Sequence, residues 1–151
     1  MSTCYFMTPE DSPIGLVLAK AAKGCGRAFE DALAGAGGST PVWLILLALV
    51  QGPNRTQTEV AAAVGIQGPT LTHHLNNMER DGLIERTRLP ENRRVHQVSL
   101  TPSGRDLFNR LRQAAMAHDA RVREGFTPDE LTVLRGLLLR LSANVPDVQL
   151  V

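Results

Sequence analysis

The feature that most constrains this chain is a series of helix starts written into it at intervals. Ser12-Pro13, Thr40-Pro41, Gly68-Pro69, Thr101-Pro102 and Thr127-Pro128 each set a capping residue or a glycine before a proline, and Thr56 with Glu59 and Thr127 with Glu130 have capping-box spacing. A Ser or Thr oxygen accepts a hydrogen bond from a first-turn N–H, and proline at the first helical position gives up an amide that has no partner there. Apolar residues recur at helical spacing behind each start. They are Ile14, Leu18, Ala21, Cys25, Ala28 and Ala32, then the run 42-VWLILLALV-50 around Trp43, then Val60 and Ala63. Leu71, Leu75 and Met78 follow, then Leu107, Leu111 and Ala115, and last Leu131, Leu134, Leu138 and Leu141. The glycine-rich 35-GAGGST-40, the turn 52-GPNR-55, Gly65 and Gly82 supply the stops.

After Gly82 the periodicity changes. Residues 84-IERTR-88 and 95-VHQVSL-100 are extended and partly alternating, with 89-LPENRR-94 between them. That pattern predicts a two-stranded hairpin with arginines at its tip. The order is therefore helix, helix, short helix, helix, hairpin, long helix, helix. Two short helices joined by a tight turn and followed at once by a hairpin make a winged helix-turn-helix, so the fold class is mainly α with a small β-hairpin wing.

With 151 residues the chain has the length of one domain, and 43% hydrophobic with 21% charged residues is ordinary globular composition. The net charge of +1 excludes a broadly basic surface, so any attraction for nucleic acid has to be local. It is concentrated between 84 and 105, where Arg86, Arg88, Arg93, Arg94 and Arg105 stand against Glu85 and Glu91. The apolar run at 42–50 is far shorter than the roughly 20 residues of a membrane span, and a buried helix is expected there. No signal-peptide pattern is seen at the N-terminus, so a cytoplasmic protein is expected. Cys4 and Cys25 make neither a disulfide framework nor a zinc knuckle. Cys25 lies on the first apolar stripe, as a small buried hydrophobe or as a sensor thiol.

The helix that starts at Gly68-Pro69 and ends at Gly82 carries the most informative surface. Opposite Leu71, Leu75 and Met78 it sets Pro69, His73, Asn76, Asn77 and Arg80, with Thr70 and Thr72 on the flanks. A solvated helix face is usually filled with Lys and Glu; short hydrogen-bonding groups suit base edges better. In a helix-turn-helix the second helix enters the major groove N-terminus first. Gln67, Pro69, Thr70, Thr72, His73, Asn76 and Asn77 are therefore the expected DNA-reading residues, with Asn76 able to pair bidentately with adenine. Arg93 and Arg94 at the wing tip would meet the backbone or a narrow minor groove. Plain solvation of the same polar residues is the alternative. Adjacent His73 and His74 point about 100° apart and make no chelating pair. His74 falls at the edge of the apolar stripe, while His96 and His118 are isolated; all three read as structural. No nucleophile elbow, phosphate-binding glycine loop or HExxH motif occurs, so no catalytic residue, metal or cofactor is expected.

The segments 56-TQTEVAAAVGIQGPTLTHHLNNMERDGLIERTR-88 and 90-PENRRVHQVSLTPSGR-105 resemble the MarR family of multiple antibiotic resistance regulators, and the flanking helices fit that family's architecture. The resemblance implies a homodimeric transcription regulator, mostly a repressor, on pseudopalindromic double-stranded DNA that is released by a small aromatic or phenolic effector. It also implies a single domain over 1–151, with a DNA-binding lobe over 40–101. The helices of 12–34 and 102–145 would form a dimerisation lobe, with a ligand crevice between the lobes. Many members carry Arg in the recognition helix where this chain has His73. A winged helix used only to bind another protein, with no DNA role, is the competing reading; near-neutral net charge is its motivation.

Overall fold

The structure, a computed structural model, describes residues 12–89 and 92–145, and for residues 89 and 92–95 the backbone alone. The chain runs α1 (Ile14–Gly35), α2 (Thr40–Gln51), β1 (Arg55–Thr56), α3 (Gln57–Val64), α4 (Gly68–Arg80), β2 (Ile84–Leu89), β3 (Asn92–Leu100), α5 (Pro102–Val122) and α6 (Pro128–Ala143). Cys4 and the tip residues Pro90 and Glu91 lie outside the described residues.

The caps form where the side-chain chemistry calls for them. At α3 the Glu59 amide donates to Thr56 Oγ1 at 3.2 Å and the Thr56 amide donates back to Glu59 Oε2 at 2.7 Å. Thr127 and Glu130 repeat the arrangement at α6, at 3.3 and 2.8 Å. Thr101 caps α5 by accepting from the Gly104 amide at 3.0 Å. Three starts differ by a residue from the sequence expectation. Pro13 rather than Ser12 precedes α1, Ser39 rather than Thr40 precedes α2 and Gln67 rather than Gly68 precedes α4, none with a side-chain cap. Thr40 instead turns its hydroxyl and its amide to the Glu30 carboxylate, the amide at 3.2 Å, which ties the start of α2 to α1.

One core joins the helices to the sheet. Ile45, Leu46 and Leu49 of α2, Val60 of α3, Leu71, Leu75 and Met78 of α4, Ile84 and Val98 of the strands, and Leu107 and Leu111 of α5 are all buried. The sheet has three strands in the order β1-β3-β2, all antiparallel, where the sequence predicts a two-stranded hairpin. Two residues, Arg55 and Thr56, are too few to show an alternating pattern. They pair with Val98 and Gln97 after a turn in which Asn54 takes φ 60°, and Gln97 Nε2 donates to the Asn54 carbonyl at 2.6 Å.

The terminal helices behave differently from the expectation of buried stripes. Only the far end of α1 reaches the core, through buried Leu33 and half-buried Phe29, whose ring lies 5.2 Å from that of His118. Ile14 is 64% exposed and Leu18 39%, and Cys25 is exposed, which corrects its expected burial. No residue of α6 is buried; Leu134, Leu137 and Leu139 all face outward. The stripes exist as the spacing indicates, but among the described residues nothing covers them. No single helix among the described residues is long and apolar enough to cross a membrane.

At the junction of α4, β2 and α5 the backbone approaches itself closely. Gly82 takes φ 71° and ends α4, the Leu83 amide donates back to the Met78 carbonyl at 2.9 Å, and Thr101 Oγ1 donates to the Gly82 carbonyl at 2.6 Å. A Cβ on Gly104 would stand 2.0 Å from the Leu83 carbonyl oxygen. Gly104→Ala should therefore reverse the usual sign of a glycine-to-alanine change in a helix. Instead of a gain of about 1 kcal/mol, a loss of about 2 kcal/mol or more is expected as a lower urea midpoint. An unchanged or raised midpoint would show that α5 does not pack this closely on the Leu83 carbonyl.

Candidate nucleic-acid interface

The tight connection between α3 and α4 sets the site. Gly65 closes α3 in the left-handed region, φ 69°, and Gln67 in extended conformation opens α4 with Pro69 in its first turn. The two helices are then fastened by one hydroxyl. Thr72 Oγ1 donates to the Gly68 carbonyl at 2.9 Å and accepts from Gln57 Nε2 at 2.6 Å. Gln57 is the first residue of α3, so this bond holds the front helix against the second turn of α4.

A second fastening joins α4 to the sheet. Cross-strand pairs share a face of the sheet, and Arg86 stands opposite the buried Val98 while Ile84 stands opposite Leu100. Period two therefore turns Arg86 toward the helices rather than toward solvent. A cation placed there needs a partner. Nε donates to Glu79 Oε2 at 3.0 Å, Nη2 donates to the same oxygen, and Nη2 also donates to Asn76 Oδ1 at 2.8 Å. The Arg86 side chain is 19% exposed. These hydrogen bonds hold the Glu79 carboxyl below its ordinary range, with the Arg86 charge and that of His96 acting in the same direction against partial desolvation.

The two fastenings and the buried stripe together present the rest of α4 outward. Gln67, Pro69, Thr70, His73 and Asn76 are exposed, and Thr72 and Asn77 are half-buried. Among the described residues no side chain caps the first turn of α4, so its leading amides keep no side-chain acceptor. His73 Nε2 and Asn77 Nδ2 lie 3.2 Å apart, and the rings of His73 and His74 meet edge to face at 5.9 Å. Arg93 and Arg94 belong to β3, and their side chains lie outside what the structure describes. Sequence reasoning treated Arg86 only as one of the basic residues of the stretch, and Gln57 and Glu79 not at all. A signal for Arg86 exists in the strand period, two residues after Ile84; none exists for Gln57.

Residues 37–95, from the approach to α2 through α4 and into the wing, match the model of the MarR family. Over that segment the chain is similar to the MarR family. Among solved structures it is similar to the transcriptional repressor CouR bound to a 23-mer DNA duplex, with a TM-score of 0.78 and 29% identity over 90% of this chain and 96% of that one. CouR bound to p-coumaroyl-CoA matches with a TM-score of 0.72 and 29% identity, over 86% of this chain and 91% of that one. The PcaV transcriptional regulator from Streptomyces coelicolor shares the fold, with a TM-score of 0.82 and 20% identity, over 91% of this chain and all of that one, 100%.

The chain also has a cavity of about 790 Å³ between α2, α5 and the start of α6. Trp43 and Phe108 form one wall, their rings stacked 5.4 Å apart and 6° from parallel. Arg112, Met116, Arg123 and Phe126 contribute to the rest. Arg123 is paired with Asp119 at 3.2 Å.

The Arg86 clamp makes stability depend on pH in a defined direction. Glu79 titrates in the folded protein below its ordinary value of 4.5. Its stabilising effect is therefore complete above that value and is lost as the pH falls through the folded one. Glu59 and Glu130, lowered by their bonds to Thr56 and Thr127, act in the same window. In urea titrations between pH 5 and pH 3, Glu79→Gln should lose stability less steeply than the parent protein. Equal slopes would mean that the ion pair contributes nothing.

Proposed function

We propose that this chain is a cytoplasmic, homodimeric transcription repressor that binds a pseudopalindromic operator and releases it when a small aromatic or phenolic ligand fills the cavity beside Trp43. The observation that carries the DNA reading is the rotation of α4. With Leu71, Leu75 and Met78 buried, the outward face consists of Pro69, Thr70, His73 and Asn76 beside an uncapped helix N-terminus. Such an end offers amides to a phosphate, and short polar side chains suit base edges. Gln67, Thr72 and Asn77 stand at the margins of that face, Thr72 offering its methyl group and one remaining lone pair. Arg93 and Arg94, at the start of β3, are assigned to the backbone or minor groove.

The dimer accounts for what one chain leaves bare. Ile14, Val17 and Leu18 of α1 and Leu134, Leu137 and Leu141 of α6 border an open apolar groove of about 500 Å³. A two-fold partner would cover this face, making α1, α5 and α6 the dimerisation lobe and residues 40–101 the reading lobe. It would also bring two copies of α4 to successive major grooves about 34 Å apart. CouR, solved on DNA and with an aromatic acyl thioester, supports both halves of the reading.

Selection from a random duplex library by the purified protein should enrich an inverted repeat with half-sites about one helical turn apart, bound by a species of dimer size. Arg94→Ala should then weaken binding to every sequence and flatten the salt dependence by about one unit in slope. A folded protein that retains no duplex at low salt and instead captures a protein partner would favour the protein-interaction reading.

The cavity lies in the common size range of small-molecule sites. Its stacked Trp43 and Phe108 suit an aromatic ring, and Arg112, for which no ion pair is formed among the described residues, suits a carboxylate or phenolate. Because Trp43 belongs to α2 and Phe108 to α5, a ligand wedged beside them would change how the reading lobe sits on the long helix. Titration with p-coumarate or 4-hydroxybenzoate should saturably change the fluorescence of Trp43, the one tryptophan, and weaken operator binding about tenfold. Arg112→Ala should raise the ligand concentration required by about tenfold. Neither signal moving would remove this ligand class.

A further inference from the structure

Asn76 is exposed on the outward face of α4, yet one of its two polar atoms is already engaged. Its Oδ1 accepts from Arg86 Nη2 at 2.8 Å. Arginine has only donors, so the atom of the amide that faces it must be the oxygen. The orientation of the amide is thereby settled by chemistry, and the NH2 group occupies the other arm of the amide plane. Arg86 is itself held by Glu79 through Nε at 3.0 Å and through Nη2, and is largely covered. Its fork therefore keeps a constant position.

We propose that Arg86 is a positioning residue for DNA reading, which fixes the orientation of the Asn76 amide so that its NH2 group, a hydrogen-bond donor, is the arm left free for DNA. The inference rests on the repressor reading above and deepens it. A free asparagine can pair with adenine by donating to N7 and accepting from N6. Held by Arg86, Asn76 keeps one lone pair on Oδ1 and a fixed amide plane, so its free NH2 group favours an acceptor: a phosphate oxygen, N7 of adenine or guanine, O6 of guanine or O4 of thymine in the major groove. Adenine pairing, the natural reading of Asn76 from the sequence, is thus constrained by a contact from a residue ten positions away. The wing strand thereby enters base selection without touching a base.

The test uses the full-length protein and the duplex it selects from a random library. Asn76→Ala removes the donor and leaves the Arg86–Glu79 pair in place, and should weaken binding by about tenfold. A loss confined to sites with one particular base pair identifies a base edge, and an equal loss on all sequences identifies a phosphate; either supports a DNA contact by the amide that Arg86 positions. Arg86→Lys keeps a cation for Glu79 but lacks the fork. It should stay folded and dimeric, and should weaken binding through the unlocked amide.

The decisive readout is the double variant. If Arg86 acts through Asn76, Arg86→Lys should have little further effect on DNA binding once Asn76 is alanine, whereas independent roles would add. Full additivity, or Asn76→Ala binding as well as the parent protein, overturns the inference while the repressor reading stands. A parent protein that retains no duplex overturns both.

Discussion

The burial of Leu71, Leu75 and Met78 is the constraint on which the rest of this structure depends. Each is covered almost completely, and each such side chain is worth about 1.5–3 kcal/mol relative to exposure. A helix has no rotational freedom left once three residues on one stripe are fixed, because every other side chain follows at 100° per residue. The outward set of Pro69, Thr70, His73 and Asn76 is thus decided by what α4 buries, and function is read from the side that packing leaves over. The Thr72–Gln57 bond and the Arg86 clamp then hold the same rotation from the two neighbouring elements.

Much of this architecture was legible in the sequence, and where it was, the reason is local. The capping boxes at Thr56 and Thr127, the cap at Thr101 and the glycine stops at Gly65 and Gly82 act within a turn of their own backbone. One boundary shifted where a distant group competed. Thr40 turned to Glu30, ten residues earlier, and left Ser39 at the boundary. The third strand was not legible at all, since Arg55 and Thr56 become a strand only because β3 offers a free edge beside them.

The candidate site divides in the same way. The polar face of α4 follows from residue spacing, and the structure exposes Gln67, Pro69, Thr70, His73 and Asn76 while leaving Thr72 and Asn77 half-covered. What the spacing could not convey is which polar atoms are already occupied. Thr72 has given its proton to the Gly68 carbonyl, and one lone pair of the Asn76 oxygen is taken by Arg86. Identical side chains on a bare helix would have kept every donor and acceptor free. Similarly, the apolar stripes of α1 and α6 were legible as stripes, but spacing is silent about whether the surface that covers them lies within the chain.

By itself the sequence determined the helix starts and stops, the period of each stripe, the hairpin and the polar composition of the recognition helix, because these depend on interactions spanning a few residues. Tertiary structure decided which stripes find cover and which hydrogen-bonding atoms remain available. It also decided that Trp43 of α2 and Phe108 of α5 stack beside a cavity. Those outcomes depend on groups far apart along the chain competing for the same partners, and only the folded arrangement brings the competitors within reach.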